Sequence, residues 1–436
     1  MATKYEVVVV IVPFPAQGHL NQLLHFSSLI SSYKNIQVHY VSTKIHTKQA
    51  KIRAHGLLNP SGSTSSNNII HFHEFSTPLF PSPPPNPNSN IKFPSHLQPS
   101  FESSYHLRSP VASLLRSLSS IARRVVVVHD SLMAYVVQDF TSLPNVESYN
   151  FHSVSMASQR KYSKSDSGNI YNTSRVIEGK FMNLLEKEPI KRNKTQWAIG
   201  PFNPMKIISH TSIDHHHHHR HHRHKYLLWL DKQSPKSAIF ISFGTTTSLK
   251  DEQIEEICIG LEKSGIKFIW ALRDADKGDI FSSEMRKIEL PKGYEERIKN
   301  KGIIVRDWAP QLEILGHLSI GAFISHCGWN SCLESLSMGV PIIAWPMHSD
   351  QPRNSILITK FLKVGINIFK NWERSRNEVV KSNIIEHVIM TIMLNNTEGN
   401  EIRRRAAELG VVIRRSVVEG GVTRKELDSF IAHITR

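Results

Sequence analysis

The chain has 436 residues, enough for two or three domains of ~100–200 residues each, and its 40% hydrophobic and 21% charged fractions exclude wholesale disorder. No apolar run approaches the ~18–20 residues of a membrane-spanning helix, and no secretory cleavage site follows the first apolar stretch. We therefore expect a cytoplasmic protein without membrane insertion. The net charge of +16 is spread along the chain without a nucleic-acid-binding signature, which favours an anionic substrate over a nucleic-acid partner. Three cysteines are too few for a disulfide framework and fit a reducing compartment.

The first segment alternates strand-like and helix-like patterns. Residues 6–12 are a nearly continuous β-branched run, which is typical of a strand buried on both faces. A helical pattern follows Gly18, and residues 36–40 alternate as a second strand. Residues 125–128 form another buried strand that ends at His129-Asp130. This order of elements predicts a parallel α/β sheet.

Two segments have biased compositions. Thr77–Ser103 is crowded with prolines and is predicted to be a long surface loop without a central strand or helix. Such a loop either shapes a substrate pocket or is a flexible insertion, and the sequence leaves both open. Asp214–His224 holds eight histidines among eleven residues. A linker between two domains is favoured there over a metal-binding tract.

The second half repeats the α/β pattern, which predicts two α/β halves with a cleft between them. Its predicted elements are strands at 238–243, 268–272, 302–305, 321–325 and 341–344 and a helix with an apolar face through 254–261. Open parallel sheets bind ligands at the carboxyl ends of their strands, so this organisation indicates a small-molecule enzyme. No G-x-G-x-x-G follows the first strand and no P-loop occurs, which argues against hydride transfer and P-loop phosphoryl transfer.

Residues 308–351 combine the chemistry needed to hold a nucleotide. His326 ends a predicted strand, and Asn330 and Ser331 begin the helix that follows, where free N–H groups form a phosphate site. One turn further on, Glu334 can accept two hydrogen bonds from a ribose diol. Trp308, at the end of another strand, offers a flat face to a base.

Sugar-binding groups follow the next strand. Asp350 and Gln351 reach the same sheet edge and can hydrogen-bond sugar hydroxyls. Each residue alone also has a purely structural explanation. Trp308 and Trp329 are possible core aromatics, and His326 is a possible buried histidine with hydrogen-bonded ring nitrogens. Their joint spacing predicts a nucleotide-sugar site.

The same stretch, Trp308 to Gln351, closely resembles the signature box of plant family-1 UDP-dependent glycosyltransferases. The resemblance is carried by Trp308-Ala309-Pro310-Gln311, by His326 to Ser331 and by His348-Ser349-Asp350-Gln351, and it extends over nearly the whole chain. It implies two Rossmann-like α/β domains facing a cleft, the glycosyltransferase type B fold. The donor-binding residues that it implies are Trp308, Ala309, Gln311, His326, Gly328, Trp329, Asn330, Ser331, Glu334, Asp350, Gln351 and Thr245.

The resemblance also assigns roles within the donor site. Trp308 would stack on uracil, Gln311 would hold the ribose with Glu334, and His326, Asn330 and Ser331 would hold the diphosphate. The sugar would lie against Trp329, Asp350 and Gln351, and the residues at 329 and 351 look like those chosen for UDP-glucose. UDP-glucose is thus the expected donor substrate, and no cofactor and no metal are expected.

Four domains or segments are implied. Residues 1–208 form the acceptor-binding domain, 209–225 the histidine-rich linker, 226–415 the UDP-sugar-binding domain and 416–436 a C-terminal helix that packs back on the first domain. A monomer is expected.

The N-terminal half has a narrower resemblance. Residues 13–22, 38–41, 128–133 and 169–175 look like those of the zeatin O-glucosyltransferases. This implies a small hydroxylated acceptor, such as a cytokinin.

Transfer to an alcohol needs a general base. His19 follows Gly18 at the mouth of the first strand, and the resemblance implies that it is this base, with Asp130 holding it. His25, His39 and His129 compete for the role, although His25 and His39 lie within a helix and a strand. Direct displacement would invert the anomeric centre.

One departure from the family pattern lies between Ala157 and Asn169, about a dozen residues apart. By the resemblance, relatives carry several tens of residues more there, including helices that wall the acceptor pocket. The alternative function is therefore a catalytically impaired UDP-sugar-binding protein with an incomplete acceptor pocket.

Overall fold

Two parallel β-sheets, each covered by helices on both faces, form the protein. The structure is a computed structural model that describes residues 5–54, 69–89, 93–158, 167–187, 194–203, 224–282, 286–375 and 377–436. Residues 209–223 of the predicted histidine-rich linker and the middle of the shortened connection, residues 159–166, lie outside the described residues. The last two residues of that linker are described, and Lys225 already begins a helix.

The N-terminal sheet has seven strands in the order β3-β2-β1-β4-β5-β6-β7, and all of its pairings are parallel. Its strands are Tyr5–Val12 (β1), Ile36–Thr43 (β2), Ile70–Phe75 (β3), Ala122–Asp130 (β4), Val146–His152 (β5), Gly168–Tyr171 (β6) and Thr195–Ala198 (β7). The order reverses between β1 and β4, so a crevice opens at their carboxyl ends.

The C-terminal sheet has six parallel strands in the order β10-β9-β8-β11-β12-β13, and its order reverses between β8 and β11. Its strands are Ala238–Ser242 (β8), Lys267–Ala271 (β9), Gly302–Val305 (β10), Ile320–Ser325 (β11), Ile342–Ala344 (β12) and Gly365–Asn367 (β13). The α/β class and the two-domain arrangement predicted from the sequence are confirmed.

The helices connect the strands on both faces of each sheet. In the described residues they are Gln17–Ile30 (α1), Lys44–Ile52 (α2), Gln98–Ser103 (α3), Arg108–Ser119 (α4), Ala134–Val137 (α5), Arg175–Lys187 (α6), Lys225–Leu230 (α7), Asp251–Ser264 (α8), Tyr294–Arg297 (α9), Gln311–Leu315 (α10), Trp329–Met338 (α11), Gln351–Ile356 (α12), Trp372–Ser375 (α13), Ser382–Met393 (α14), Thr397–Ser416 (α15) and Val422–Thr435 (α16).

The structure explains why the sequence of strand β1 is an unbroken apolar run. Successive side chains of a strand point to opposite faces, so Val7, Val9 and Ile11 enter one core and Val8 and Val10 enter the other. Because helices cover both faces, neither set can be polar.

The last helix, α16, belongs to the N-terminal core. Leu427, Phe430 and Ile434 pack in the same cluster as the odd-numbered residues of β1. At its end, Arg123 donates to the carbonyl of Thr435 at 3.2 Å, which satisfies a carbonyl that the helix leaves without an internal donor.

The prediction for Thr77–Ser103 was wrong in part. Residues 76–86 have no helix or strand, as expected, but residues 95–97 form a turn of 3₁₀ helix and α3 follows from Gln98. The prolines do not prevent this helix because Pro99 stands in its first turn, where the missing N–H is not needed.

Candidate active site

A cleft of about 1520 Å³ runs between the two sheets. It is lined by loops and helix starts that follow the carboxyl ends of β1, β8 and β11, the strands at which both sheet orders reverse. All twelve predicted donor residues line this cleft, as does His19, and Asp130 lies directly behind His19.

His19 and Asp130 are paired. Nδ1 of His19 lies 2.7 Å from Oδ2 of Asp130, whose side chain is fully buried, and the backbone N–H of Leu132 donates to the other oxygen of Asp130 at 3.0 Å. The pairing follows from topology, because His19 opens α1 just after β1 and Asp130 ends the neighbouring β4. It leaves Nε2 as the ring nitrogen available to an acceptor.

Sequence reasoning missed a third group, Ser153, whose Oγ lies 2.8 Å from Nδ1 of His19. Its position is set by Gln22, which donates to the backbone carbonyl of Ser153 at 3.0 Å. No motif marked this serine, because the contact depends on how the turn after β5 meets α1.

The pKa values of His19 and Asp130 are shifted in opposite directions from their usual values. Burial alone would lower the pKa of His19, but the carboxylates of Asp130 and Asp350 raise it above its usual value. Burial alone would raise the pKa of Asp130, but His19 and the Leu132 N–H hold it below its usual value. Asp130 is therefore an anion that stabilises a protonated imidazole.

The competing histidines differ in position. His25 lies on α1 and also lines the cleft. His39 lies on the sheet, where its ring nitrogen is 2.7 Å from that of His73. His129 is buried and contacts the carbonyl of Asp130. His19, by contrast, contacts the carboxylate of Asp130.

His326 is held tightly between two loops. A Cβ built on Gly244 or on Gly328 would lie 2.4 Å from Nε2 of His326, so only glycine fits on either side of the ring. Burial and the neighbouring His348 lower the pKa of His326 to about 3. The imidazole is thus neutral and can donate one N–H towards an anion without carrying a charge.

The first turn of α11 faces the cleft beside this ring. Its N–H groups lack partners inside the helix, so the helix start is suited to a diphosphate. The side chain of Asn330, however, donates to the carbonyl of Gly18 at 2.8 Å and thereby joins α11 to the start of α1.

The indole of Trp329 is similarly engaged, since its N–H donates to the carbonyl of Asn172 at 2.8 Å and the ring is buried. Trp329 is among the residues that line the cleft, but its indole N–H already has an acceptor and does not point to a sugar.

The residues predicted to hold the ribose contact one another. Gln311 donates to Oε2 of Glu334 at 2.7 Å and to Oγ of Ser331 at 2.9 Å. Burial raises the pKa of Glu334 to about 7, although the Gln311 hydrogen bond opposes the shift. A ribose diol donating to this carboxylate would favour its charged form.

The predicted base site lies just before α10, next to Gln311. Trp308, Ala309 and Thr245 line the cleft there. The guanidinium of Arg53, from the N-terminal domain, lies over the Trp308 ring with Cζ 4.3 Å from its centroid.

The predicted sugar site is built around Asp350. Burial raises its pKa, and Asn354 opposes this by donating to Oδ2 at 2.7 Å. Gln351 accepts the backbone N–H groups of Met347 and His348 at 2.9 and 3.0 Å, which fixes its amide.

Asn354 is a second residue that sequence reasoning missed. It is fully buried, donates also to the carbonyl of Cys327 at 2.9 Å and accepts the hydroxyls of Ser155 and Ser158 at 2.5 and 3.1 Å. The turn that precedes the shortened connection is thus attached to the predicted sugar site.

The cleft wall near His19 is apolar and aromatic. It includes Phe14, whose ring centroid lies 4.6 Å from that of Phe101, together with Tyr105, Leu132 and Tyr135. Phe101 belongs to α3, so the proline-rich segment contributes to the pocket rather than forming a detached insertion.

In the described part of the chain, no group of three or more His, Cys, Asp or Glu side chains has a geometry that could hold a metal ion. Across the same residues no helix has both the length and the apolar character needed to cross a membrane. All three cysteines are free and buried.

The fold and the cleft together define a two-domain nucleotide-sugar transferase. A family model for the glycosyltransferase N-terminal domain matches residues 5–164, and a model described as UDP-glucoronosyl and UDP-glucosyl transferase matches residues 108–390. The chain belongs to this UDP-glycosyltransferase family and is a glycosyltransferase that uses a UDP-sugar donor.

Individual relatives agree with this. The zeatin O-glucosyltransferase of Phaseolus lunatus is 50% identical over 471 aligned positions, covering 99% of this chain and 97% of that protein. The zeatin O-xylosyltransferase of Phaseolus vulgaris is 49% identical over 471 positions, covering 99% and 98%. The crystal structure of a UGT transferase from Siraitia grosvenorii in complex with UDP superposes with a TM-score of 0.75 at 26% identity, covering 99% of this chain and 100% of that one. Both alignments exceed the 436 residues of the chain, so those relatives contain residues that it lacks.

Proposed function

We propose that the enzyme transfers glucose from UDP-glucose to a hydroxyl group of a small plant metabolite, the cytokinin zeatin or a molecule of similar shape, with inversion at the anomeric carbon. The observation that carries the proposal is the His19–Asp130 pair, 2.7 Å apart, at a cleft whose opposite wall holds the donor residues. The similarity to two zeatin O-glycosyltransferases supports the acceptor class.

The reaction begins with proton removal. Nε2 of His19 takes the proton of the acceptor hydroxyl while that oxygen attacks the anomeric carbon, and the bond from this carbon to the diphosphate oxygen breaks. The imidazolium that forms is stabilised by the Asp130 carboxylate, which also keeps the proton of the resting ring on Nδ1.

The leaving UDP carries the electron pair of the broken bond. The N–H groups at the start of α11 and the neutral His326 ring are placed to stabilise its diphosphate, because a helix start favours negative charge. These donors supply the charge stabilisation that the transfer requires, so we propose that no metal or other cofactor takes part.

The sugar is held by Asp350 and Gln351, which would accept from and donate to its hydroxyls. We favour glucose over xylose because Trp329 and Gln351, which both line the cleft, resemble the residues chosen for UDP-glucose in this family. The pentose lacks the hydroxymethyl group, so donor preference is directly measurable.

The alternative is a UDP-sugar-binding protein with an incomplete acceptor pocket. Its motivation is the shortened connection after Ala157. The aromatic wall formed by Phe14, Phe101 and Tyr135 remains beside His19, and the turn before the connection is anchored to Asn354. These contacts favour the active enzyme.

The test is an assay of UDP release with UDP-glucose or UDP-xylose and a panel of cytokinins and phenolic alcohols, with products identified by mass spectrometry. We expect turnover with UDP-glucose and a zeatin-like alcohol. Calorimetry separates the alternatives: UDP binding by a folded protein with no turnover across the whole panel would establish the impaired binder instead.

We further propose that the enzyme acts as a cytoplasmic monomer. Both walls of the cleft come from one chain, and the three free cysteines fit a reducing compartment. Light scattering at working concentration measures the mass, and a stable dimer would contradict this proposal.

A further inference from the structure

Arg53 crosses from the N-terminal domain to the predicted base site of the C-terminal domain. It follows α2 directly, and its two terminal nitrogens donate to the two oxygens of Asp276 at 2.5 and 2.9 Å. Asp276 lies after β9 on the C-terminal domain, and both side chains are buried, at 7% and 6% exposure. This pair is a bidentate ion pair sealed between the domains.

The same guanidinium covers an aromatic ring. Its Cζ lies 4.3 Å from the centroid of Trp308, and Arg273, which also donates to Asp276 at 2.8 Å, lies 5.3 Å from it. A planar cation over an indole is attracted by the ring and restricts its tilt. Trp308 is the residue predicted to stack on the nucleobase.

The network continues to the helix that carries the general base. Arg53 donates to Oε1 of Gln17 at 2.9 Å, and Gln49 donates to the same oxygen at 2.8 Å. Gln17 is the first residue of α1, two positions before His19. One side chain therefore contacts the predicted base-stacking ring, a carboxylate of the donor domain and the start of the catalytic helix.

We propose that Arg53 is a positioning residue that aligns Trp308 for nucleobase stacking and locks α1 against the donor domain. It touches neither sugar nor acceptor and acts through Trp308 and Gln17. The inference rests on the donor site of the proposed function. Lysine cannot replace it, because a single ammonium group makes neither the paired hydrogen bonds nor the planar contact with the ring.

A purely structural ion pair would also be buried, so the test separates ligand affinity from stability. The variants are Arg53→Lys, Arg53→Gln and Asp276→Asn, and the control is Arg108→Gln. Arg108 makes a similar bidentate pair with Asp139, at 2.9 Å for each bond, but on an exposed surface within the N-terminal domain.

The readouts are the dissociation constant of UDP by calorimetry, the KM for UDP-glucose and the melting temperature. The base-specific readout compares competition by UDP with competition by inorganic pyrophosphate, which has no base to stack. We expect Arg53→Lys to weaken UDP binding and to raise the KM by about tenfold or more, of the order expected when one partner of a buried charged pair at a binding site is truncated. Pyrophosphate competition and the Arg108→Gln control should stay within about twofold.

Two results would overturn the proposal. One is unchanged UDP affinity in Arg53→Lys and Asp276→Asn with only a lower melting temperature, which would make the pair structural. The other is an equal loss for UDP and pyrophosphate. If Arg53→Gln does not fold, the UDP affinities of Arg53→Lys and Asp276→Asn test the proposal. UDP binding needs no acceptor, so the measured UDP affinities test this inference even if no acceptor is turned over. If the wild-type protein does not bind UDP, both the proposed donor site and this inference are wrong.

Discussion

Replacing Asp130 by asparagine removes the negative charge of the proposed catalytic pair, His19 and Asp130, while nearly preserving the shape of the side chain. In the native protein one carboxylate oxygen accepts from Leu132 N–H at 3.0 Å and the other lies 2.7 Å from Nδ1 of His19. An asparagine has only one acceptor oxygen for these two positions. If that oxygen stays with the Leu132 N–H, the amide NH₂ faces His19 and places the ring proton on Nε2, where it blocks proton removal.

The size of the effect follows from the charge. Two unit charges about 4 Å apart interact by about 4 kcal/mol at an effective dielectric constant of about 20. Because Asp130 is fully buried, this stabilisation of the imidazolium is lost in the variant, and at about 1.4 kcal/mol per factor of ten the turnover falls about 10³-fold.

The assay is the initial rate of UDP release at saturating UDP-glucose, with calorimetry of UDP in parallel. UDP affinity should stay within about twofold, because the donor residues belong to the other domain. Asp139→Asn, at an exposed carboxylate in the same domain, is the matched control. The reasoning would be refuted if Asp130→Asn kept more than about a tenth of the wild-type turnover. It would also be refuted if UDP affinity fell by the same factor as turnover.

Four further results are expected. His19→Ala should lose ~10²–10⁴-fold in turnover with UDP affinity intact. Because the pKa of His19 is raised, the wild-type rate should fall on acidification with a midpoint above pH 6.5. A midpoint below pH 6.5 in the pH–rate profile would contradict the assignment of His19 as the base. Glu334→Ala should weaken UDP binding by about 10- to 100-fold in calorimetry, since the ribose loses its charged acceptor, and unchanged affinity would place the ribose elsewhere. Below about pH 6.5 the stability should fall on acidification by about 1.4 kcal/mol per pH unit for each buried histidine that only the unfolded chain protonates. Glu178 and Glu334, with pKa values of about 7, oppose this trend but are fewer, so urea unfolding at pH 7.5 and pH 5 should show the loss, and equal stability would contradict it. The histidines concerned, with pKa values of about 3 or about 4, are His39, His46, His326 and His348.

Contacts at the ends of neighbouring strands were predictable from the sequence. His19 and Asp130 are 111 residues apart, but each follows a buried apolar run, and parallel strands bring their carboxyl ends to one edge. The Gln311–Glu334 contact was equally accessible, because one motif carries both residues and their shared role implies proximity.

Contacts between the domains were not predictable in this way. Asn354 meets Ser155, and Arg53 meets Asp276, only because two separately folded sheets dock at one particular angle. Nothing in the spacing of these residues records that angle, and arginine or asparagine on a surface is ordinary until the opposing wall is known. The side chain of Asn330 shows the same limit, since it contacts Gly18 of the other domain as well as lining the donor site.

The helix at Gln98–Ser103 was missed for a different reason. Proline content was taken as evidence against any helix, but proline is unfavourable within a helix and acceptable in its first turn. The position of Pro99 relative to the helix start, rather than the number of prolines, decides the outcome.

The placement of α16 has a consequence for how the protein is made. The last strand of the N-terminal sheet ends at Ala198, but Leu427, Phe430 and Ile434 complete the core of that sheet. At ~5–20 residues per second, a ribosome needs about 10–50 s to translate the roughly 230 residues in between. During that time the apolar face that α16 later covers is without its cover, and such exposed surface promotes aggregation. A stop codon before residue 427 would leave that face bare permanently.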